Sequence, residues 1–330
     1  MALKIAINGT GRIGMIAARL VASRDDVELV ALNTTLELKT LELLMKNDSV
    51  HGRFDVELID DETLRIGDNR AKIFSDRDPN NIDFGSTGAE VVLECTGAFL
   101  TTEKAKAFLK GGVKKVVMSA PAKDDTPMYV CGVNHLEYKN EDIISNASCT
   151  TNCLGPIVKV LNDNFDLIDG LMTTIHSYTN DQNILDAKHR DIRRARAGAL
   201  SMIPTTTGAA KAIGKVMPEL AGKLNGYAMR VPTPDVSVVD LTVNLEKNVT
   251  KEQINEAFKE ASESSFKGLI EYDQEKRVSI DFVGSTYSSI FVPDMTSVVN
   301  DKTVKVLAWY DNEWGYTSRL IDMAVFVGTK

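Results

Sequence analysis

Short apolar runs rich in β-branched residues alternate with amphipathic stretches through the first third of the chain: Lys4–Asn8, Arg12–Ser23, Val27–Asn33 and Leu36–Lys46. That β-α-β rhythm predicts a parallel sheet. Its strands are almost continuously apolar, as in Glu90–Cys95 (EVVLEC) and Lys115–Ser119 (KVVMS), which suits strands covered by helices on both faces. Between them, Thr101–Lys110 has a helical pattern that stops at Gly111-Gly112. Beyond about residue 148 the period changes. Val239, Leu241, Val243 and Leu245 alternate with Asp240, Thr242, Asn244 and Glu246, the period-two pattern of an antiparallel or mixed sheet with one wet face. Thr250-Lys251-Glu252-Gln253 forms a capping box, and Ile254, Ala257, Phe258 and Ala261 share one face of the helix it opens. The expected fold is α/β, with a Rossmann-type, mostly parallel sheet domain (1–148) and an α+β catalytic domain with a mixed or antiparallel sheet (149–314). The helical stretch 315–330 is expected to pack back on the first domain.

Composition agrees with two ordinary globular domains: 330 residues, 43% hydrophobic, 25% charged, with 22 Gly and 9 Pro. Against 46 acidic side chains stand 38 Lys and Arg, a net charge of −8 that disfavours nucleic acid and anionic membranes as partners. Any anionic ligand therefore needs a local site. No apolar run approaches the roughly 18 residues of a membrane span, and Met1-Ala2-Leu3-Lys4-Ile5 runs into a strand without signal-peptide architecture, so a cytoplasmic chain is expected. Its four cysteines (Cys95, Cys131, Cys149, Cys153) are then reduced thiols, and no Cys/His spacing suits a metal.

Two constellations carry chemistry. Gly9-Thr10-Gly11-Arg12-Ile13-Gly14 is a G-x-G-x-x-G between a strand and a helix, where glycines allow a tight turn and close approach of a pyrophosphate to the helix N-terminus. The acidic residue expected about 20 residues on, at the ribose, is absent, since the second strand ends Asn33-Thr34-Thr35. A neutral hydroxyl there admits NADP as well as NAD. The second constellation begins at Ser148-Cys149-Thr150-Thr151-Asn152-Cys153, where Cys149 opens a helix whose dipole favours a thiolate. Cys153, one turn on, is a packing residue or a redox partner. A thiol nucleophile needs a base, and of the four histidines only His176 ends an apolar strand, Leu171–Tyr178.

ASCTTNC, TIHSYTNDQ, RRARAG, WYDNEWGY and INGTGRIG together resemble the phosphorylating (type I) glyceraldehyde-3-phosphate dehydrogenases along essentially the whole chain. The resemblance implies oxidation of glyceraldehyde 3-phosphate with NAD, or NADP, and inorganic phosphate, in glycolysis or gluconeogenesis, with Cys149 as nucleophile and His176 as base. It implies a substrate-phosphate site at Thr179 and Arg230, with Asp181 orienting the arginine, and an inorganic-phosphate site at Ser148, Thr150, Thr207 and Gly208. Thr205-Thr206-Thr207-Gly208 also suits a helix N-cap. Cofactor contacts implied are Asn8, Gly9, Gly11, Arg12, Ile13, Asn33, Thr34, Arg77, Thr96, Gly97, Ser119, Lys188, Asn312 and Tyr316. The basic run Lys188–Arg196, which alone could suggest RNA binding, becomes a loop reaching toward a neighbouring subunit of a homotetramer. Thr10 and Met15 depart from the aromatic and arginine usual in that family. Thr34 stands for the usual aspartate, and Ala187-Lys188 for Leu-Pro; both lower repulsion or bulk around a ribose 2′-phosphate. Rival readings are an erythrose-4-phosphate dehydrogenase and a non-catalytic nucleotide- or RNA-binding protein on the same scaffold.

Overall fold

A computed structural model describes residues 2–330, which divide into two compact units. The first holds the chain up to Cys131, with Glu137–Ser148 and Thr317–Lys330; the second holds Gly132–Leu136 and Cys149–Tyr316.

The first unit runs β1 (Leu3–Asn8), α1 (Arg12–Val21), β2 (Val27–Asn33), α2 (Leu38–Lys46), the two-residue β3 (Asn47–Asp48) and β4 (Gly52–Arg53), β5 (Val56–Asp60), β6 (Thr63–Ile66), β7 (Asn69–Phe74), β8 (Val91–Glu94), α3 (Thr102–Ala105), β9 (Lys115–Met118) and β10 (Ile143–Ser145). Among the described residues its main sheet has the order β10-β9-β8-β1-β2-β7-β6-β5. The six strands from β10 to β7 are mutually parallel, and β8 and β9 are buried along their whole length, as their apolar runs require. The remaining edge is an antiparallel meander, β7-β6-β5, whose alternation is wet on one face: Leu64, Ile66, Ala71 and Ile73 are buried while Arg70 and Lys72 are exposed. The helix expected over Thr101–Lys110 is shorter than its pattern. Thr101 caps α3 by accepting the Lys104 N–H, and the chain then tightens into a 3-10 turn at Lys106–Phe108. That turn drives Phe108 against Phe84 and Phe99, and Gly111 and Gly112 follow at positive φ. At the far end of the chain a Cβ on Gly328 would lie within 3 Å of both Leu3 and Val91, so only glycine allows this approach to β1 and β8.

The second unit comprises α4 (Cys149–Phe165), β11 (Leu167–Ser177), β12 (Ile203–Thr206), α5 (Ala209–Val216), β13 (Leu224–Val231), β14 (Ser237–Leu245), α6 (Lys251–Glu263), β15 (Ile270–Tyr272), β16 (Ser289–Phe291), β17 (Ser297–Val299), β18 (Thr303–Tyr310) and the start of α7 (Trp314–Gly328). Its mixed sheet has the order β12-β13-β11-β14-β18-β16-β15, with β17 beside β18. The capping box forms as the sequence predicts: Thr250 and Gln253 bond reciprocally, and Ile254, Phe258 and Ala261 of α6 are buried. Register decides what meets at one end of this sheet. Parallel pairing sets His176 opposite Arg230, and antiparallel pairing sets Ser237 opposite Tyr310. The ends of β11, β13 and β18 and the start of β14 therefore converge there, a disposition that α/β enzymes use for chemistry.

Candidate active site

In the first unit the glycine turn is sterically enforced. Gly9 has φ +99°, and a Cβ there would come within 2.5 Å of Thr96. A Cβ on Gly14 would sit 1.9 Å from the Gly9 carbonyl oxygen, so helix and strand touch at this residue. Gly11 faces open space, with nothing within 4 Å of its ideal Cβ, and as the N-cap of α1 it offers no side chain to that helix's free N–H groups. These N–H groups adjoin a cleft of about 490 Å³ lined by Gly9, Gly11, Thr34, Arg77 and Thr96, which suits a dinucleotide whose pyrophosphate meets the helix terminus. The two glycines separate by experiment. Gly14→Ala is expected to lower stability by about 2 kcal/mol or more through the clash. Gly11→Ala is expected to leave the melting temperature unchanged while removing most of its rise on adding NAD, as thermal melts with and without cofactor will show.

Several residues expected at the cofactor also bond within the protein. The Asn33 amide donates to Asn8 Oδ1 and the Asp76 carbonyl, both at 2.9 Å, and Asn8 donates to buried Glu94. This chain ties the ends of β8, β1 and β2 beneath the cleft. Arg12 forms a two-point pair with Asp48. Burial alone would raise the Asp48 carboxyl, but Arg12 and the N–H groups of His51 and Val50 outweigh it and hold it at about 2. The two departures Thr10 and Thr34 meet each other, their hydroxyls 2.6 Å apart, and Thr34 also accepts the Leu36 N–H. No carboxylate stands at position 34. Arg77 is exposed at the cleft, Gly97 has φ +71°, Ile13 and Ser119 are half-buried, and Lys188 is exposed in the second unit.

In the second unit Cys149 occupies the first position of α4, half-buried, with Sγ 3.5 Å from His176 Nε2. The other ring nitrogen, Nδ1, lies 2.7 Å from the Ser177 carbonyl oxygen and 2.7 Å from Arg230 Nη1, which also donates to that carbonyl. Burial pushes the Cys149 thiol up, against the pull of Arg230 and the hydrogen bonds of Thr150. Burial and then the Arg230 charge hold His176 at about 3. Each ion alone is disfavoured, but moving one proton from Sγ to Nε2 creates a net-neutral pair whose charges stabilise each other.

Arg230 supplies a further sign of a ligand. Its Nε is buried and has no hydrogen-bond partner among the described residues, an orphan donor that an anion would satisfy. Across the β11/β13 pair from it lies His176, and Thr179, half-buried, follows the end of β11. The Thr150 hydroxyl, expected to meet phosphate, is 2.9 Å from the Tyr310 hydroxyl, which is in turn 2.8 Å from Thr174. Tyr310 thus links α4, which Cys149 opens, to β11, which carries His176, a link the sequence did not point to. The Thr205–Gly208 segment ends β12 and enters α5, and the cap is Gly208 rather than a threonine, with Thr207 Oγ1 accepting the Ala209 N–H.

Residues 3–102 match the family described as glyceraldehyde 3-phosphate dehydrogenase, NAD binding domain, and residues 148–312 match the corresponding C-terminal domain. The chain is 51% identical over 333 residues to glyceraldehyde-3-phosphate dehydrogenase of Geobacillus stearothermophilus, spanning 100% of this chain and 99% of that protein. It is 52% identical over 329 residues to the enzyme named cytosolic in Taxus baccata, spanning 98% of this chain and 96% of that one. The chain belongs to the glyceraldehyde-3-phosphate dehydrogenase family. It is an NAD-dependent oxidoreductase, and among the described residues no helix is long and apolar enough to cross a membrane.

In this glyceraldehyde-3-phosphate dehydrogenase the Asp181 carboxylate pairs with Arg194, with His189 Nε2 3.5 Å away, and its charge is also felt at Arg230. Arg194 also donates to Thr205 Oγ1 at 2.9 Å, and its charge is felt at His176 and Arg230. It is a second cation beside Arg230, hidden in the sequence inside the basic run. That run is partly neutralised within the chain, since Arg196 pairs with Asp186 as Arg194 does with Asp181. Asn312 is buried, accepting from Ser237 Oγ at 2.6 Å, and Tyr316 is buried in the first turn of α7. Removing the Arg230 charge is expected to raise the His176 pKa, because that charge is one cause of its depression. An NMR titration of the imidazole in Arg230→Leu checks this, with a value unchanged from the parent as the contrary result.

Proposed function

We propose that this chain oxidises D-glyceraldehyde 3-phosphate, with inorganic phosphate, to 1,3-bisphosphoglycerate through a Cys149 thioester. The 3.5 Å approach of Cys149 Sγ to His176 Nε2 carries the reading. His176 Nε2 takes the thiol proton, the thiolate adds to the aldehyde carbon, and the proton returns from Nε2 to the new alkoxide to give a hemithioacetal. The N–H of Cys149, free at the start of α4, faces the developing oxyanion. His176 then removes the hemithioacetal hydroxyl proton. NAD, when bound, supplies the acceptor for the hydride that leaves this carbon as the thioester forms. Phosphate attacks the thioester carbonyl, the C–S bond breaks, and acyl phosphate leaves with the Cys149 thiolate restored.

Arg230, with its orphan Nε, and Thr179 hold the substrate phosphate; Ser148, Thr150, Thr207 and Gly208 take the attacking phosphate. Asn312 contacts the nicotinamide. Thr34, which brings no charge to the ribose site, lets NADP serve as well as NAD. The protein works as a homotetramer in the cytoplasm, without a metal. Steady-state assays with each cofactor, with and without phosphate, test the whole reading: acyl phosphate forms only when phosphate is supplied. An erythrose-4-phosphate dehydrogenase would release free acid and ignore phosphate. A kcat/KM for NADP more than about a thousandfold below that for NAD, roughly 4 kcal/mol, would refute the dual-cofactor part.

A further inference from the structure

One buried hydroxyl joins the peptide of the base His176 to the asparagine that meets the nicotinamide in the proposed reaction. Ser237 opens β14 and is almost fully enclosed. Its Oγ accepts the Ser177 N–H at 3.1 Å and lies 2.6 Å from Asn312 Oδ1. A hydroxyl has one proton and two lone pairs. The Ser177 N–H occupies one lone pair, and the proton goes to Oδ1. Were the Asn312 amide turned over, Nδ2 would point at Oγ and the Ser237 proton would lose its acceptor in a buried site, which hydrogen-bond energetics disfavours. The amide therefore has one preferred orientation, with Nδ2 left, among the described residues, without a protein partner.

The hydroxyl is itself held from behind. Ser177 Oγ donates to the Val236 carbonyl at 2.9 Å, and Val236 sits at φ +63°, a left-handed conformation that a β-branched residue keeps only when its surroundings impose it. The Ser177 carbonyl, on the same residue, meets His176 Nδ1 and Arg230. A displacement at Ser237 is thus transmitted to both the base and the amide.

We propose that Ser237 is a positioning residue for the nicotinamide carboxamide. It locks the Asn312 amide so that only N–H donors face the ligand, and so selects a ligand that presents a carbonyl oxygen there. This rests on the reading of Asn312 as the nicotinamide contact. The carboxamide NH2 of the cofactor is then not recognised by Asn312, whereas its carbonyl is.

Titration calorimetry with NAD and with its 3-acetylpyridine analogue, which keeps the carbonyl but lacks the NH2, tests the assignment on the unaltered protein. The two dissociation constants are expected to agree within about threefold. In Ser237→Ala the amide is free to turn, so NAD binding weakens by about three- to tenfold and the analogue weakens further still. Ser237→Thr, which keeps the hydroxyl, restores the parent pattern. Transfer of labelled hydride to one face of the ring is expected to lose fidelity in Ser237→Ala, a change that a general loss of stability would not produce. Two results would overturn the proposal: binding of the analogue more than about thirtyfold weaker than NAD in the parent, or Ser237→Ala matching the parent on both ligands while Asn312→Leu weakens both. If Asn312→Leu itself binds NAD like the parent, the underlying contact is wrong and the proposal falls with it.

Discussion

Replacing Cys149 by serine is expected to lower kcat/KM by about 10⁴-fold or more while leaving the fold and the NAD-dependent rise in melting temperature in place. Serine preserves the size and the position at the head of α4, so only the chemistry changes. Its hydroxyl is a far weaker acid than a thiol, and His176, held at about 3, is a poor base for it. An acyl-serine would also be an ester, less reactive toward phosphate than a thioester. Full activity in Cys149→Ser, measured alongside melts that confirm the fold, would show that Sγ is not the nucleophile.

His176→Asn is the second large effect, with kcat expected to fall by about 10²- to 10⁴-fold, the usual contribution of a general base. Asparagine keeps a polar group near Ser177 and Arg230 but cannot take a proton. Alkylation of Cys149 by a neutral reagent is expected to slow below pH 8 in this variant, because the proton that moved 3.5 Å to Nε2 must now go to solvent. The same substitution has a stability signature. The folded-state pKa of His176 is depressed to about 3 from an ordinary 6.5, so between these values the unfolded chain binds the extra proton. Its contribution is present above pH 6.5 and is lost as pH falls toward 3, with a slope of up to about 1.4 kcal/mol per pH unit. His176→Asn should therefore lose less stability on acidification than the parent; identical acid melts for the two proteins would contradict the buried, neutral imidazole.

Much of the fold was legible because burial writes a period into the chain. The unbroken apolar runs of β8 and β9 and the capping box at Thr250 each correspond to an observed element. The meander β5-β6-β7 was not separable from the parallel sheet, since three short strands with charged outer faces carry no long apolar run. The pattern at Thr101–Lys110 overstated a helix, because it placed Ala105 and Phe108 on one face without showing that a tight turn buries Phe108 equally well.

In the site, residue type and strand-end position nominated Cys149 and His176, but their contact depends on α4 returning its first residue to the end of β11, which only the tertiary fold supplies. Tyr310 lies 136 positions from Thr174 and 160 from Thr150, and no local period connects them. The Asp181–Arg194 pair was equally invisible: loop ion pairs follow no spacing, and the resemblance set Asp181 beside Arg230. Resemblance named residues for the cofactor but not the bonds they make within the protein, as Asn33 and Asn8 show by turning their amides toward the strand ends.

The most direct measurement mixes enzyme, NAD and glyceraldehyde 3-phosphate in a stopped-flow instrument without phosphate. A thioester on Cys149 predicts a burst of about one NADH per chain, then a stall that added phosphate releases into steady turnover. Sustained turnover without phosphate, or a burst of the same size in Cys149→Ser, would contradict it.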